Sequence, residues 1–127
     1  MNKFFQFNEF VELGKVFKDC EAYLIALEHL NKAISLSFLP INKERLIEAY
    51  DLRGNTKMFL SQYEGAIIDY SKAIELNPKD AYLYFFRGLS YESLELYEDA
   101  LRDFQMSFKV DPDFEMAIHM IDQIKKG

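Results

Sequence analysis

Cysteine is almost missing from this chain. Cys20 stands alone in 127 residues, so no intramolecular disulfide can form, and a cysteine-based metal site is not expected. A single thiol suits a reducing compartment. There is no Trp, and there are only three Pro and five Gly, which leaves few turn signals and points to long helices. A basic excess is also lacking: 15 Lys and Arg face 21 Asp and Glu, for a net charge of −6. The cations are interleaved with acids, so no basic face is on offer and nucleic acid is excluded as a bulk electrostatic partner. Long apolar runs are absent too. Residues 1–9, MNKFFQFNE, are broken by Gln6, Asn8 and Glu9 and lack the continuous core of a signal peptide. No segment reaches transmembrane length. The expectation is a cytoplasmic, soluble protein with no membrane partner. What the chain has in quantity is apolar residues, half of the total, including twelve Phe and eight Tyr, and a folded core must bury many of those rings.

Self-similarity organises the rest. Tyr50-Asp-Leu-Arg-Gly54 and Tyr84-Phe-Phe-Arg-Gly88 lie 34 positions apart, and the same offset links Leu60 to Leu94, Tyr63 to Tyr97, Ala66 to Ala100, Asp69 to Asp103 and Pro78 to Pro112. A third copy lies upstream: Gly14, Tyr23, Ala26 and Ala33 each precede their counterparts in the second copy by 40 positions. The six extra residues fall after Ala33 and before Tyr50. This gives repeats at 7–40, 47–80 and 81–114, with an insertion at 41–46, in one domain spanning 1–127.

The order of aromatic, Gly, aromatic, Ala, aromatic, small residue and Pro resembles the tetratricopeptide repeat (TPR). The third copy reads Tyr84, Gly88, Tyr91, Ala100, Phe104, Ser107 and Pro112; the second reads Tyr50, Gly54, Lys57, Ala66, Tyr70, Ala73 and Pro78. The first reads Phe10, Gly14, Phe17, Ala26, Leu30, Ala33 and Phe38. Lys57 departs from an expected aromatic, Arg53 and Arg87 from Leu, and Phe38 from Pro. The resemblance implies an all-α fold: a right-handed α-solenoid of three helix-turn-helix hairpins plus a C-terminal capping helix.

Local patterns agree with paired helices. Tyr63, Ala66, Ile67, Tyr70, Ala73 and Ile74 keep a three-four spacing, as do Tyr97, Ala100, Leu101, Phe104 and Phe108, which predicts an apolar helical stripe in each repeat. Gly54 and Gly88 sit in mid-helix, where glycine costs about 1 kcal/mol relative to Ala, so each is expected to admit a close helix crossing. Asp80 and Asp113 are expected to cap the helices that follow, and Asn42 to cap a helix from about Lys43 to Leu60. A capping helix at 115–125 is expected to cover the last hairpin with Ala117, Ile118, Ile121 and Ile124.

Chemistry-bearing clusters do not emerge. His29 and His119 have no neighbour at metal-ligand or base-nucleophile spacing, and His29, among Glu28, Asn31 and Lys32, reads as a surface residue. Cys20 stands where the other repeats have Leu60 and Leu94 and reads as a packed small hydrophobe. Glu64, Asp69, Glu75, Glu98 and Asp103 read as solvent-facing. No phosphate loop, HExxH motif or nucleophile elbow is present, so neither enzymatic activity, nor a cofactor, nor a bound metal is expected.

In the resembled family, first helices line the concave face of a superhelix, and extended or helical peptides lie there. The resemblance therefore implies a peptide-binding groove built from Asn8, Val11 and Lys15 in repeat 1. Repeat 2 would add Glu48, Asp51, Asn55 and Met58, and repeat 3 Tyr82, Phe85, Phe86, Leu89 and Glu92. Some members of the family clamp the C-terminal carboxylate of chaperone tails with a Lys–Asn, Asn, Lys–Arg set. The matching positions here hold Val11, Lys15, Leu52, Tyr82 and Phe86, so that clamp is not expected. The reading is an interaction scaffold for a protein or peptide, apolar or basic in character. Two alternatives stand beside it. One is self-association, as a homodimer or with Phe4, Phe5 and Phe7 masking the chain's own groove. The other is an aromatic groove that carries a small ligand or lipid.

Overall fold

The computed structural model describes residues 2–127, and seven α-helices account for nearly all of them. In order they are α1 Lys3–Asp19, α2 Tyr23–Ser35, α3 Lys43–Phe59, α4 Tyr63–Leu76, α5 Ala81–Ser93, α6 Tyr97–Val110 and α7 Glu115–Lys126. Among the described residues no strand occurs, and no helix is long and apolar enough to cross a membrane.

The first helix of each hairpin starts on a side-chain cap. Asn2, Asn42 and Asp80 accept hydrogen bonds from the backbone N–H of Phe4 (2.8 Å), Glu44 (3.0 Å) and Tyr82 (3.0 Å), each satisfying a donor the helix itself leaves unpaired. Asp113 does not play this part for α7. Phe114 is the N-cap there, without a side-chain bond, because its ring is drawn inward against Phe85 at 5.1 Å. Asp111 instead accepts from the Asp113 N–H at 3.1 Å.

One turn geometry joins the helices within all three hairpins. Glu21, Ser61 and Glu95 have φ of 61°, 59° and 61°, and their N–H groups bond back to Lys18, Met58 and Glu92 at 2.8–2.9 Å. The next residue in each turn reaches Phe17, Lys57 or Tyr91 at 2.8–2.9 Å. This left-handed exit satisfies the terminal carbonyls of the first helix, although none of the three residues is the glycine usually found there.

Each hairpin packs on the next: α1 pairs with α2, α3 with α4 and α5 with α6, while α2–α3, α4–α5 and α6–α7 form the seams. The first helices also touch one another, α1 with α3 and α3 with α5, so they form the inner wall of the stack. The glycines admit bulk from the partner helix. A Cβ on Gly88 would stand 2.7 Å from Phe104, and one on Gly54 3.0 Å from Tyr70. The close approach is thus to the aromatic ring of the second helix. α7 covers the last hairpin with Ala117, Met120, Ile121 and Ile124, whereas Ile118 is exposed. Tyr97 and Phe108 of the expected α6 stripe are exposed as well; Ser107 faces inward instead and donates to the Ala81 carbonyl at 2.9 Å.

Two carboxylates expected at the surface are buried. Asp69 accepts from Arg53 Nε (2.9 Å) and Nη2 (2.7 Å), and Asp103 accepts from Arg87 in the same two-pronged way at 2.8 Å. The remaining arginine nitrogen reaches back to the preceding hairpin, Arg53 to Asn31 at 3.2 Å and Arg87 to Ser71 at 3.1 Å. Lys57, the unexpected cation, stands 3.2 Å from Asp69. Burial pushes the Asp103 pKa up against the opposing pull of Arg87, and the bonds to Asp103 hold that guanidinium more firmly protonated than usual. His29 and Cys20 also depart from expectation. His29 is half-buried, stacked on Phe17 with centroids 5.3 Å apart, and its Nδ1 is buried without a hydrogen-bond partner among the described residues. Cys20 is exposed at the end of α1.

Candidate functional site

The inner wall separates the implied groove residues into those that face the open side and those the stack has absorbed. Val11 is fully buried, in the seam with Phe7, Ala33 and Ala49. Phe85 is 5% exposed and lies among Ala81, Phe104, Phe114 and Ala117. Both face the next unit in the stack, which covers them, so neither is available to a ligand. Leu89 packs against the seam that includes α7. Glu92 belongs to a different cleft, toward Gln123 and Ile124.

What stays open centres on α3 and α5. Asn55, Met58 and Phe86 line one cleft of about 420 Å³, together with Lys18, Phe59, Tyr63 and Ser93. Tyr82, 55% exposed, stacks beside Phe86 with centroids 6.4 Å apart, and Phe86 lies 6.1 Å from the Tyr70 ring beneath it. Offset aromatic pairs of this kind present a stiff apolar surface with little rotamer entropy to lose on contact. Tyr70 donates its hydroxyl to Asn55 Oδ1, with Met58 Sδ 3.2 Å away. That bond fixes the amide and occupies one lone pair of the Asn55 oxygen, and its two N–H groups can donate to a bound chain.

The wall is polar at its other rim. Arg45 bonds Asn8 Oδ1 at 3.1 Å and Glu48 Oε1 at 2.5 Å, and lies 3.4 Å from Glu12. Asn8 and Glu48 are thus engaged by one guanidinium that sequence reading left out. Arg45 falls within the insertion at 41–46, outside the repeat alignment, which is why no offset flagged it. Lys15 is exposed on α1. Asp51 makes no hydrogen bond or ion pair with any described residue, although it is partly buried. Burial, with Asp80 and Glu48 nearby and Lys18 opposing, raises its pKa to about 6. Phe4 and Phe5 do not mask this wall: α1 runs unbroken from Lys3, and both rings project from its first turn into solvent. Phe7 is a core residue. Among the described residues no group of three His, Cys, Asp or Glu side chains could hold a metal ion.

Comparison with known proteins agrees with this architecture. The family model described as TPR repeat matches residues 54–95. The Hsp70-Hsp90 organizing protein of Triticum aestivum is 31% identical over 122 residues, covering 80% of this chain and 21% of that protein. The chain spans about a fifth or less of the length of the relatives it matches. Among solved structures, MamA superposes with a TM-score of 0.87 at 26% identity, over 95% of this chain and 67% of that one. The first TPR of Spaghetti (RPAP3), bound to the HSP90 peptide SRMEEVD, superposes with a TM-score of 0.82 over 95% of this chain and 91% of that one. At 20% identity this last likeness speaks for the fold alone.

Proposed function

The chain belongs to the tetratricopeptide-repeat family, and from that premise we propose that it is a cytoplasmic, non-enzymatic scaffold whose inner wall binds a peptide or helix of a partner protein. The observation that carries this reading is the Tyr82–Phe86 pair, Tyr82 exposed and Phe86 half-buried, beside a cleft that Asn55 and Met58 complete. An accessible aromatic surface next to an amide donor is what a docked backbone and an apolar side chain require. Tyr82→Ala is expected to weaken affinity capture of partners from native cell extract at least tenfold, while the melting temperature moves by no more than about 2 °C. Equal capture by both proteins contradicts the reading. A Phe85 variant is no substitute, because Phe85 is core.

Relatives that include an Hsp70-Hsp90 organizing protein keep chaperone tails among the partners to be tested. Of the positions matching the carboxylate clamp, Val11, Lys15, Leu52, Tyr82 and Phe86, only Lys15 carries positive charge, so we expect SRMEEVD to bind more weakly than an apolar or basic peptide.

Self-association is supported by a separate surface. Val16 is 54% exposed on α1, whereas its counterparts Thr56 and Ser90 are fully buried. A second copy covering this face would appear as a dimer in sedimentation at micromolar concentration; a monomer there rejects it.

A further inference from the structure

Asp51 occupies a position where the other two repeats place core. Its counterparts are Val11, 40 residues earlier, and Phe85, 34 residues later, both buried against the unit that follows them in the stack. A carboxylate put there loses hydration and needs hydrogen bonds or a counter-charge to compensate. Asp51 receives no hydrogen bond and no ion pair from the described residues. Its acidic neighbours are otherwise engaged: Glu48 is held by Arg45, and Asp80 caps α5 through the Tyr82 N–H. Lys18 is the one cation that opposes them, and it forms no ion pair with Asp51. Tyr70, beneath, is held neutral, since burial raises its pKa and Asp51 and Asp69 add to the effect.

The apolar cleft lies one helical turn further along α3. Asn55 and Asp51 are four residues apart on the same helix, a rise of about 6 Å. Two residues of an extended chain span roughly 6.6 Å, so side chains at positions i and i+2 of a docked strand can reach both places. A cation at one and an apolar group at the other complement this wall in charge and in polarity.

Resting on the groove reading above, we propose that the groove selects a basic peptide. The Lys or Arg of an extended segment pairs with Asp51, and a bulky apolar residue two positions away enters the cleft lined by Asn55, Met58 and Phe86. A side chain that supplied this missing counter-charge would explain why a carboxylate is kept at a core position at a cost in stability.

The test is selection from a random decapeptide library displayed on phage, run on the wild-type protein and counter-screened on Phe86→Ala. Peptides lost on Phe86→Ala are groove-dependent. Among these, a Lys or Arg two residues from a Leu, Met or aromatic is expected to be enriched. As synthetic fluorescent peptides they should lose tenfold or more in affinity on Asp51→Asn, and Asp51→Lys should switch preference to the same peptides with Glu in place of the basic residue. Groove-dependent peptides without a basic residue, or unchanged by Asp51→Asn, overturn this inference and leave the groove reading standing. Tighter binding of SRMEEVD than of any basic peptide overturns it too. If no selected peptide responds to Phe86→Ala, both readings fall.

Discussion

The first hairpin and the two that follow solve one packing problem in different ways. Hairpins two and three place Arg on the first helix and Asp on the second, joined as the Arg53–Asp69 and Arg87–Asp103 forks. The first has Leu13 and His29 at those positions, with Phe17 stacked on the imidazole. The third nitrogen of each arginine explains the split. It bonds the preceding hairpin, at Asn31 or Ser71, and Leu13 carries no polar group to make such a bond. An ionic fork therefore ties units together as well as holding one unit closed, and the first hairpin closes on apolar and aromatic contacts in place of the fork. The cation over the first aromatic differs in the same sense. Arg53 covers Tyr50 and Arg87 covers Tyr84, while Phe10 is covered by Lys32 of its own second helix.

The most severe way to break this contrast is to strand one acid. Arg87→Leu leaves Asp103 buried without its cation and is expected to cost about 3 kcal/mol in urea unfolding. Adding Asp103→His and Tyr91→Phe, which rebuilds the Leu13–His29–Phe17 arrangement in the third hairpin, should recover at least half of that loss. A triple variant as unstable as the single one means the two solutions are not interchangeable. Arg53→Leu should be milder, because Lys57 still stands beside Asp69.

A smaller effect comes from the position shared by Val11, Asp51 and Phe85. With a folded pKa of about 6 against an ordinary 3.8, the Asp51 carboxyl costs nothing below pH 3.8. The cost grows as pH rises through this window and is complete above pH 6, since the unfolded chain ionises first. Asp51→Asn is therefore expected to gain roughly 2–3 kcal/mol at pH 7 and nothing at pH 3.5, read from thermal unfolding across pH. A gain that does not vary with pH contradicts the assignment to Asp51. The charges facing this group are Asp80, Glu48 and Lys18, and none of them changes in the variant.

The turns should give the smallest effect and the least contrast between hairpins. Ser61 pays for a left-handed backbone that glycine adopts without steric cost, so Ser61→Gly should raise stability by roughly 0.5–1 kcal/mol. Glu21→Gly and Glu95→Gly should match it, given φ values within 2° of one another. Calorimetry that finds the three unequal would show that the turns differ in more than backbone.

Much of the fold was legible because repetition is a property of spacing. The 34-residue offset and the Gly–aromatic order gave the paired helices, and Asn42 announced the start of α3. Burial was less legible. Spacing says which residues share a helix face; how far the neighbouring unit covers that face depends on the stack. Val11, Asp51 and Phe85 look alike by position, yet two are sealed and one carries a charge. Asp69 and Asp103 looked like surface acids because their partners lie sixteen residues earlier, on the other helix of the hairpin. Arg45 and Lys18 border the candidate groove without belonging to the repeat signature, so no motif pointed to them. Cys20 was read from its counterparts Leu60 and Leu94, which are half-buried where Cys20 is exposed.

The most direct test of an open inner wall is amide chemical-shift mapping of the labelled protein during titration with a peptide selected on it. The account predicts perturbations concentrated on α3 and α5, at Asp51, Asn55, Tyr82 and Phe86. Shifts confined to the outer helices, for example around Ile68 of α4 and Arg102 of α6, would contradict it.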